Sequence, residues 1–305
     1  MRFPPRHVVV PMDFSEPSHT GLEAAKALAK RFGADLHLLY LPVFQDGLTA
    51  VAPDGAAIPT PAILENTPEF KAWRRAGLER AASGFPRSRI RVHTAFPGAP
   101  AAGLLGAARG RPDKWIVLAT HGRAGLERAL LGSVAEAVVR RAKVPVLTLH
   151  RRGPPLKLER MLIPYNMEPY ARKALRYGVE MGRKLGARIG VLYVVEEGAD
   201  VRGARDRVHS SLVSTLGVSQ AAAVKLIVRK GDPRFAILSE AKKGKFGLIV
   251  LSAHRKPFWK DYVLGSTAER VLRHSEAPVL SVPSGKPAGR RSSRSSLAWV
   301  ADKIY

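Results

Sequence analysis

The residues best suited to holding a phosphate lie in one stretch. Ala119-Thr120-His121-Gly122 is followed, after nine residues, by Gly132-Ser133-Val134-Ala135-Glu136. Ser133 and Glu136 have the spacing of a capping box, in which Ser133 caps a helix and Glu136 reaches back. The order is then a glycine-bearing loop and a helix N-terminus. Backbone N–H groups converge there and favour an anion, usually phosphate. A side chain at Gly122 or Gly132 would hold such a ligand away from the backbone. A plain strand-to-helix connection with a good cap accounts for the same spacing, and the residues alone leave both readings open.

Other chemistries lack their residues. The chain has no cysteine, so thiolate and disulfide chemistry are excluded. It has no Gly-x-x-x-x-Gly-Lys-Ser/Thr phosphate loop and no Gly-x-Ser-x-Gly elbow. No His/Asp/Glu group shows a recognisable metal-ligand spacing, so no metal site is expected. Ser133 has no evident base beside it, and capping is its better role. No catalytic residue is assigned.

The elements that must position this stretch follow from the apolar pattern. Trp115-Ile116-Val117-Leu118 reads as a buried parallel strand. The whole unit recurs: Leu248-Ile249-Val250-Leu251, Ser252-Ala253-His254-Arg255, nine residues, then Gly265-Ser266-Thr267-Ala268-Glu269. Earlier, His7-Val8-Val9-Val10-Pro11 runs into Met12-Asp13, and a helix with Leu22, Ala25, Leu28 and Ala29 on one face ends at Gly33. The second half repeats this from Arg160 to Gly186, with Asn166 in the place of Asp13. Asp13 could bind a ligand at the strand end or cap the following helix. Glu69 to Ser83 and Val201 to Leu216 read as paired helices, and Pro100 and Pro233 suit first helical turns. The Pro-, Ala- and Gly-rich segment from Pro42 to Pro68 is extra in the first half and reads as a surface loop. Each half alternates strand and helix, so the expected class is α/β. Two doubly wound domains are expected, each a five-stranded parallel sheet with helices on both faces. The domains are placed at residues 1–150 and 159–283, with a linker at 151–158 and a basic Ser/Arg-rich tail at 284–305.

These residues resemble the universal stress protein family in its tandem form. The family hallmark is Gly, two residues, Gly, nine residues, then Gly-Ser or Gly-Thr, beside an Asp after the first strand. Asp13, Gly122, Gly132 and Ser133 match in register; Ala119 stands at the first glycine. The resemblance runs from about His7 to Pro283. It implies a Rossmann-like, adenine nucleotide alpha hydrolase-like fold and a stress-response regulatory protein that binds ATP, ADP or AMP, with or without Mg. Little or no catalysis is implied, at most weak ATP hydrolysis. By position, Pro11, Met12 and Asp13 would meet the adenine-ribose side and Leu41 the base. Ala119, His121, Gly122, Arg123, Gly132, Ser133 and Val134 would surround the phosphates. His254 mirrors His121, which favours a shared loop role for the pair. Tandem members mimic a dimer within one chain, so an intramolecular pseudo-dimer is implied, and a homodimer is a further form.

The second half departs further. Ser252 and Arg255 replace the loop glycines, and Pro257, Phe258, Trp259 and Tyr262 crowd the segment before Gly265. The second half is therefore expected to bind ATP poorly or not at all; the counter-reading is that Arg255 and Lys256 clamp a phosphate directly. The net charge is +25, and the tail carries only five Lys/Arg against one Asp. Weak, salt-sensitive polyanion binding is expected. The competing function is a basic scaffold for nucleic acid or an acidic partner, its nucleotide site vestigial. No run approaches the roughly 18 apolar residues of a membrane helix, and the amino terminus lacks a signal-peptide core. A soluble, cytoplasmic protein with no membrane partner is expected.

Overall fold

The computed structural model describes residues 2–41, 44–45, 49–51, 57–59, 67–94, 100–120, 131–150, 153–253, 255–258 and 261–284. The first half comprises β1 (His7–Met12), α1 (Glu16–Phe32), β2 (Asp35–Tyr40), β3 (Phe44–Gln45), β4 (Thr49–Val51), β5 (Ala57–Pro59), α2 (Pro68–Ala81), β6 (Ile90–Thr94), α3 (Pro100–Ala107), β7 (Lys114–Thr120), α4 (Ser133–Arg141) and β8 (Val146–His150). The second comprises β9 (Arg160–Pro164), α5 (Pro169–Leu185), β10 (Arg188–Val195), α6 (Val201–Leu216), α7 (Val218–Ala222), β11 (Lys225–Lys230), α8 (Pro233–Lys243), β12 (Leu248–Ala253), β13 (Arg255–Phe258), β14 (Asp261–Leu264), α9 (Ser266–His274) and β15 (Val279–Pro283).

The main strands form one ten-stranded sheet in the order β11-β10-β9-β12-β15-β8-β7-β1-β2-β6. Within each half the five strands are parallel. The halves join where β15 pairs antiparallel with β8, Leu280 opposite Leu147. Alternate residues feed opposite layers. Val8, Val10 and Met12 belong to the same buried layer as Leu22 of α1 and Leu175 of α5. Val9 packs on the other face with Leu104 of α3 and Val138 of α4. Helices therefore cover both faces, as expected for parallel strands buried on both sides.

Local signals place α1. Ser15 is its N-cap, Pro17 lies in its first turn, and Gly33 ends it at φ 63°, a left-handed conformation that a side chain disfavours. Its repeat, α5, ends in the same way at Gly186, φ 66°. One sequence expectation is corrected. The Pro42–Pro68 segment is more than a surface loop, since β3, β4 and β5 form a three-stranded antiparallel sheet within it. The crowded segment before Gly265 carries an antiparallel hairpin, β13–β14. Strand β14 lies against α4 of the first half.

The join is also a side-chain core. Trp115 of β7 donates its indole N–H to Tyr177 of α5 at 2.7 Å, a buried bond between the halves. Phe3 packs edge-on to both Phe32 and Tyr177. Among the described residues, no helix is long and apolar enough to cross a membrane.

Candidate functional site

The chain reverses direction at β1. It runs outward through β2 and β6, then returns to place β7 on the other side of β1. In doubly wound sheets a crevice opens at the carboxyl ends of the strands at such a point. The register shows it opening: β1 pairs with β7 from His7↔Lys114 to Val9↔Ile116 and no further. Pro11, which has no N–H to donate, lies just beyond that limit.

A cavity of about 470 Å³ fills this splay, between α1 on one face and α4 on the other. Its apolar wall includes Val10, Leu41, Val117 and Leu131; Asp13, Ser15, Ser18, Gly132 and Ser133 bring polar groups to it. The volume suits a small-molecule site, for which roughly 300–1,000 Å³ is typical. Among the described lining residues, Asp13 is the only ionisable one.

Asp13 follows β1 and does not cap α1. Its Oδ1 accepts from the Ser15 amide at 2.9 Å and from Ser15 Oγ at 2.5 Å. Ser15 Oγ in turn accepts from the Ser18 amide at 3.3 Å. Between them, Phe14 holds a left-handed φ of 60°. For a bulky residue that conformation costs about 1–2 kcal/mol, and its ring is gripped by Tyr40 and Trp73. Met167, the matching residue of the second half, has φ 64°. The strained turn is therefore built into both halves, directly before the helix.

At α4 the expected capping box is absent. Gly132 is the N-cap, with no side-chain cap bond, and Ser133 is already the first helical residue. Glu136 turns instead to Arg140 at 3.4 Å and to Arg273 of α9 at 3.3 Å. Two guanidiniums outcompete one backbone N–H for that carboxylate. Among the described residues, the first-turn N–H groups of α4 thus have no side-chain cap at the cavity wall.

Gly132 needs no special conformation. Its φ of −56° is open to any residue, and a Cβ built on it would meet nothing within 4 Å among the described residues. Its missing side chain leaves space facing the cavity. Gly21 is different. A Cβ there would lie 3.3 Å from the Ala119 amide nitrogen and 3.7 Å from Ala119 Cβ. The methyl of Ala119, which stands at the family's first glycine, is accommodated by this bare face of α1.

Of the residues expected at the site, Pro11, Asp13, Leu41, Ala119, Gly132, Ser133 and Val134 line the cavity. The Met12 side chain is fully buried in the core beneath it, while its carbonyl accepts from the Leu41 amide at 2.8 Å. His121, Gly122 and Arg123 lie outside the described residues. Sequence reasoning missed Ser18, Gly21 and Leu131. Only a helical wheel of α1 placed across the β1–β7 switch would have pointed to the first two.

A model of the universal stress protein family matches residues 5–150 and again 157–283. The chain belongs to that family. A universal stress protein of Methanocaldococcus jannaschii is 30% identical over 148 residues, covering 48% of this chain and 82% of that protein. One from Mycobacterium bovis is 25% identical over 179 residues, 54% of this chain and 60% of the relative. The crystal structure of a universal stress protein from Archaeoglobus fulgidus superposes with a TM-score of 0.69 at 24% identity. It covers 93% of this chain and 100% of that one, so the likeness extends through both halves. Family membership makes this a stress-response protein of Rossmann-like fold.

The second universal stress protein repeat shares the splay, since β12 pairs with β9 only at Leu248↔Met161 and Ile249↔Leu162. Its polar groups bond to a neighbouring residue of the same half. Ser252 Oγ donates to the Tyr170 carbonyl at 3.1 Å. Asn166, in the place of Asp13, donates its amide to Tyr170 Oη at 2.6 Å.

Proposed function

We propose that the chain is a stress-response regulator that binds one ATP or ADP, in the first half, with little or no catalysis. The observation that carries this reading is the β1–β7 cavity, which holds Asp13 on one side and the uncapped first turn of α4 on the other. A carboxylate suits ribose hydroxyls, and first-turn N–H groups suit phosphate. The apolar wall of Val10, Leu41 and Val117 suits a flat base. The phosphate-side residues Gly122 and Arg123 join the site by family position. Mg would be held by the phosphates.

Catalysis is not favoured by the lining. Ser133 is exposed at the helix start, and the one ionisable group described in the wall, Asp13, is already bonded to Ser15. The second half is assigned no nucleotide, because Tyr170 engages both Asn166 and Ser252. The join at β8 and β15 supports an internal pseudo-dimer, with the halves as its protomers. The charge of +25 adds a weak, salt-screened attraction for polyanions and no sequence preference.

Calorimetric titration of the full chain with ATP tests this. We expect one site per chain. Gly132→Val should fold normally, since no described residue packs at that position, yet lose ATP binding because the branched side chain occupies phosphate space. Equal affinity in a folded Gly132→Val variant would remove the site, and two equivalent sites would remove the asymmetry.

A further inference from the structure

Starting at the amino-terminal end of β1 and running diagonally across the first half's sheet, three histidines meet on the face that carries α3. They come from three neighbouring strands: His7 of β1, His37 of β2 and His93 of β6. His7 Nδ1 is 3.0 Å from His37 Nε2, and His37 Nδ1 is 2.9 Å from His93 Nε2. Asp35 Oδ2 lies 3.8 Å from His7 Nδ1. Separations of 30 and 56 residues hid this group from any reading of motif spacing.

The hydrogen bonds fix the tautomers. Arg111 Nη1 is 2.9 Å from His7 Nε2 and can only donate. His7 therefore carries its proton on Nδ1 and donates to His37 Nε2. His37 then carries its own on Nδ1 and donates to His93 Nε2. Burial pushes all three imidazoles below the usual histidine range, His37 to about 3.

We propose that this edge binds one divalent transition-metal ion of the zinc and cobalt class through His7 Nδ1, His37 Nε2 and Asp35 Oδ2. The three ligand atoms lie within 4.8 Å of one another. Two imidazole nitrogens on a tetrahedral zinc ion, each about 2.0–2.1 Å from it, stand about 3.3 Å apart. The 3.0 Å pair is already close to that spacing. Strands hold both rings, which must turn from their hydrogen bond so that both lone pairs converge on the ion. His93 Nε2 accepts from His37 Nδ1 and so fixes the tautomer that leaves a lone pair on His37 Nε2 for the ion, the support expected around a metal-bound histidine. Water would complete the shell.

Charge around the site is balanced. Asp35 and Asp113 act on His7 in one direction and Arg111 and Lys114 in the other. The Lys114 ammonium is itself held by the Ala107 carbonyl at the end of α3. Two contacts oppose the ion: the bond from His7 Nδ1 to His37 Nε2 must be given up, and so must the one from Arg111 to His7 Nε2. For Nδ1 to ligate, the His7 proton must move to Nε2, where it would face the Arg111 donor. No net proton is lost, and Arg111, which is exposed, must swing into solvent.

That conflict supplies a test with an unusual sign. Titrate the full chain, without nucleotide, with Co²⁺, reading ligand-field absorption, and with Zn²⁺ by calorimetry. One ion per chain is expected. His7→Gln and His37→Gln should each weaken binding by more than about 10-fold. Arg111→Ala should tighten it by about fivefold, the worth of one competing hydrogen bond of about 1 kcal/mol. Absence of binding, binding unchanged in folded His7→Gln or His37→Gln, or weaker binding by Arg111→Ala would each overturn the proposal. Arg111 is exposed, so its variant remains informative if a histidine variant fails to fold.

Discussion

At Ser15, one hydroxyl serves two partners: it donates to Asp13 Oδ1 and accepts from the Ser18 amide. Helix start and ligand wall therefore share a side chain. Removing the hydroxyl takes away the cap of α1, which is typically worth about 1 kcal/mol, and leaves Asp13 with one donor fewer. Ser15→Ala should lower the urea midpoint by an amount matching that loss and weaken ATP binding as well. A stability loss with unchanged ATP affinity would show that the orientation of Asp13 does not depend on Ser15. The turn between them also explains why a bulky Phe14 tolerates a left-handed φ. Tyr40 and Trp73 grip its ring, and Gly77 leaves room for it, since a Cβ there would be 3.0 Å from the Phe14 ring.

Among the elements, α1 and β7 come closest where the cavity begins. Gly21 faces Ala119 at a spacing that leaves a Cβ tight against backbone, which cannot give way as a flexible side chain can. Gly21→Val should therefore lift α1 from β7. The expected cost is about 1–3 kcal/mol, the range for overpacked sites, with a lower thermal midpoint by calorimetry and a distorted ATP site. A Gly21→Val protein as stable as the wild type would show that α1 can shift freely. The second half solves the same contact differently. Ala174 occupies the place of Gly21 and is buried, while Ser252 ties β12 to the first turn of α5.

Over the whole molecule, the halves share a sheet and a core, and so should unfold together. Tyr177 is the clearest probe. It sits on α5 of the second half, yet its hydroxyl accepts from Trp115 of the first. Burial pushes the phenol well above its usual range, so it stays protonated throughout neutral pH. Tyr177→Phe keeps the ring but strands a buried indole N–H, at a cost of about 1–3 kcal/mol. Calorimetry should show one transition, moved to lower temperature. Two separate transitions, only one of them shifted, would mean that the halves fold independently.

The amino-acid sequence by itself determined the parts that depend on local order. Apolar runs marked the parallel strands. Gly33 and Gly186 marked helix ends through left-handed conformations available at no steric cost. The recurrence of strand, loop and Gly-Ser exposed the repeat, and Asp13, Gly132 and Ser133 were legible because the strand ends of a doubly wound sheet converge on its switch point. Only the tertiary structure decided what depends on partners distant in the chain. Glu136 has capping-box spacing, but Arg273 of the other half competes for its carboxylate, so the box does not form. Gly21 and Ser18 enter the cavity wall because of the way α1 crosses β7. Pairing of β8 with β15 is a choice among sheet edges that no local signal encodes. His7, His37 and His93 become neighbours because strand order and register bring them to one face, and both are set by packing of the entire sheet.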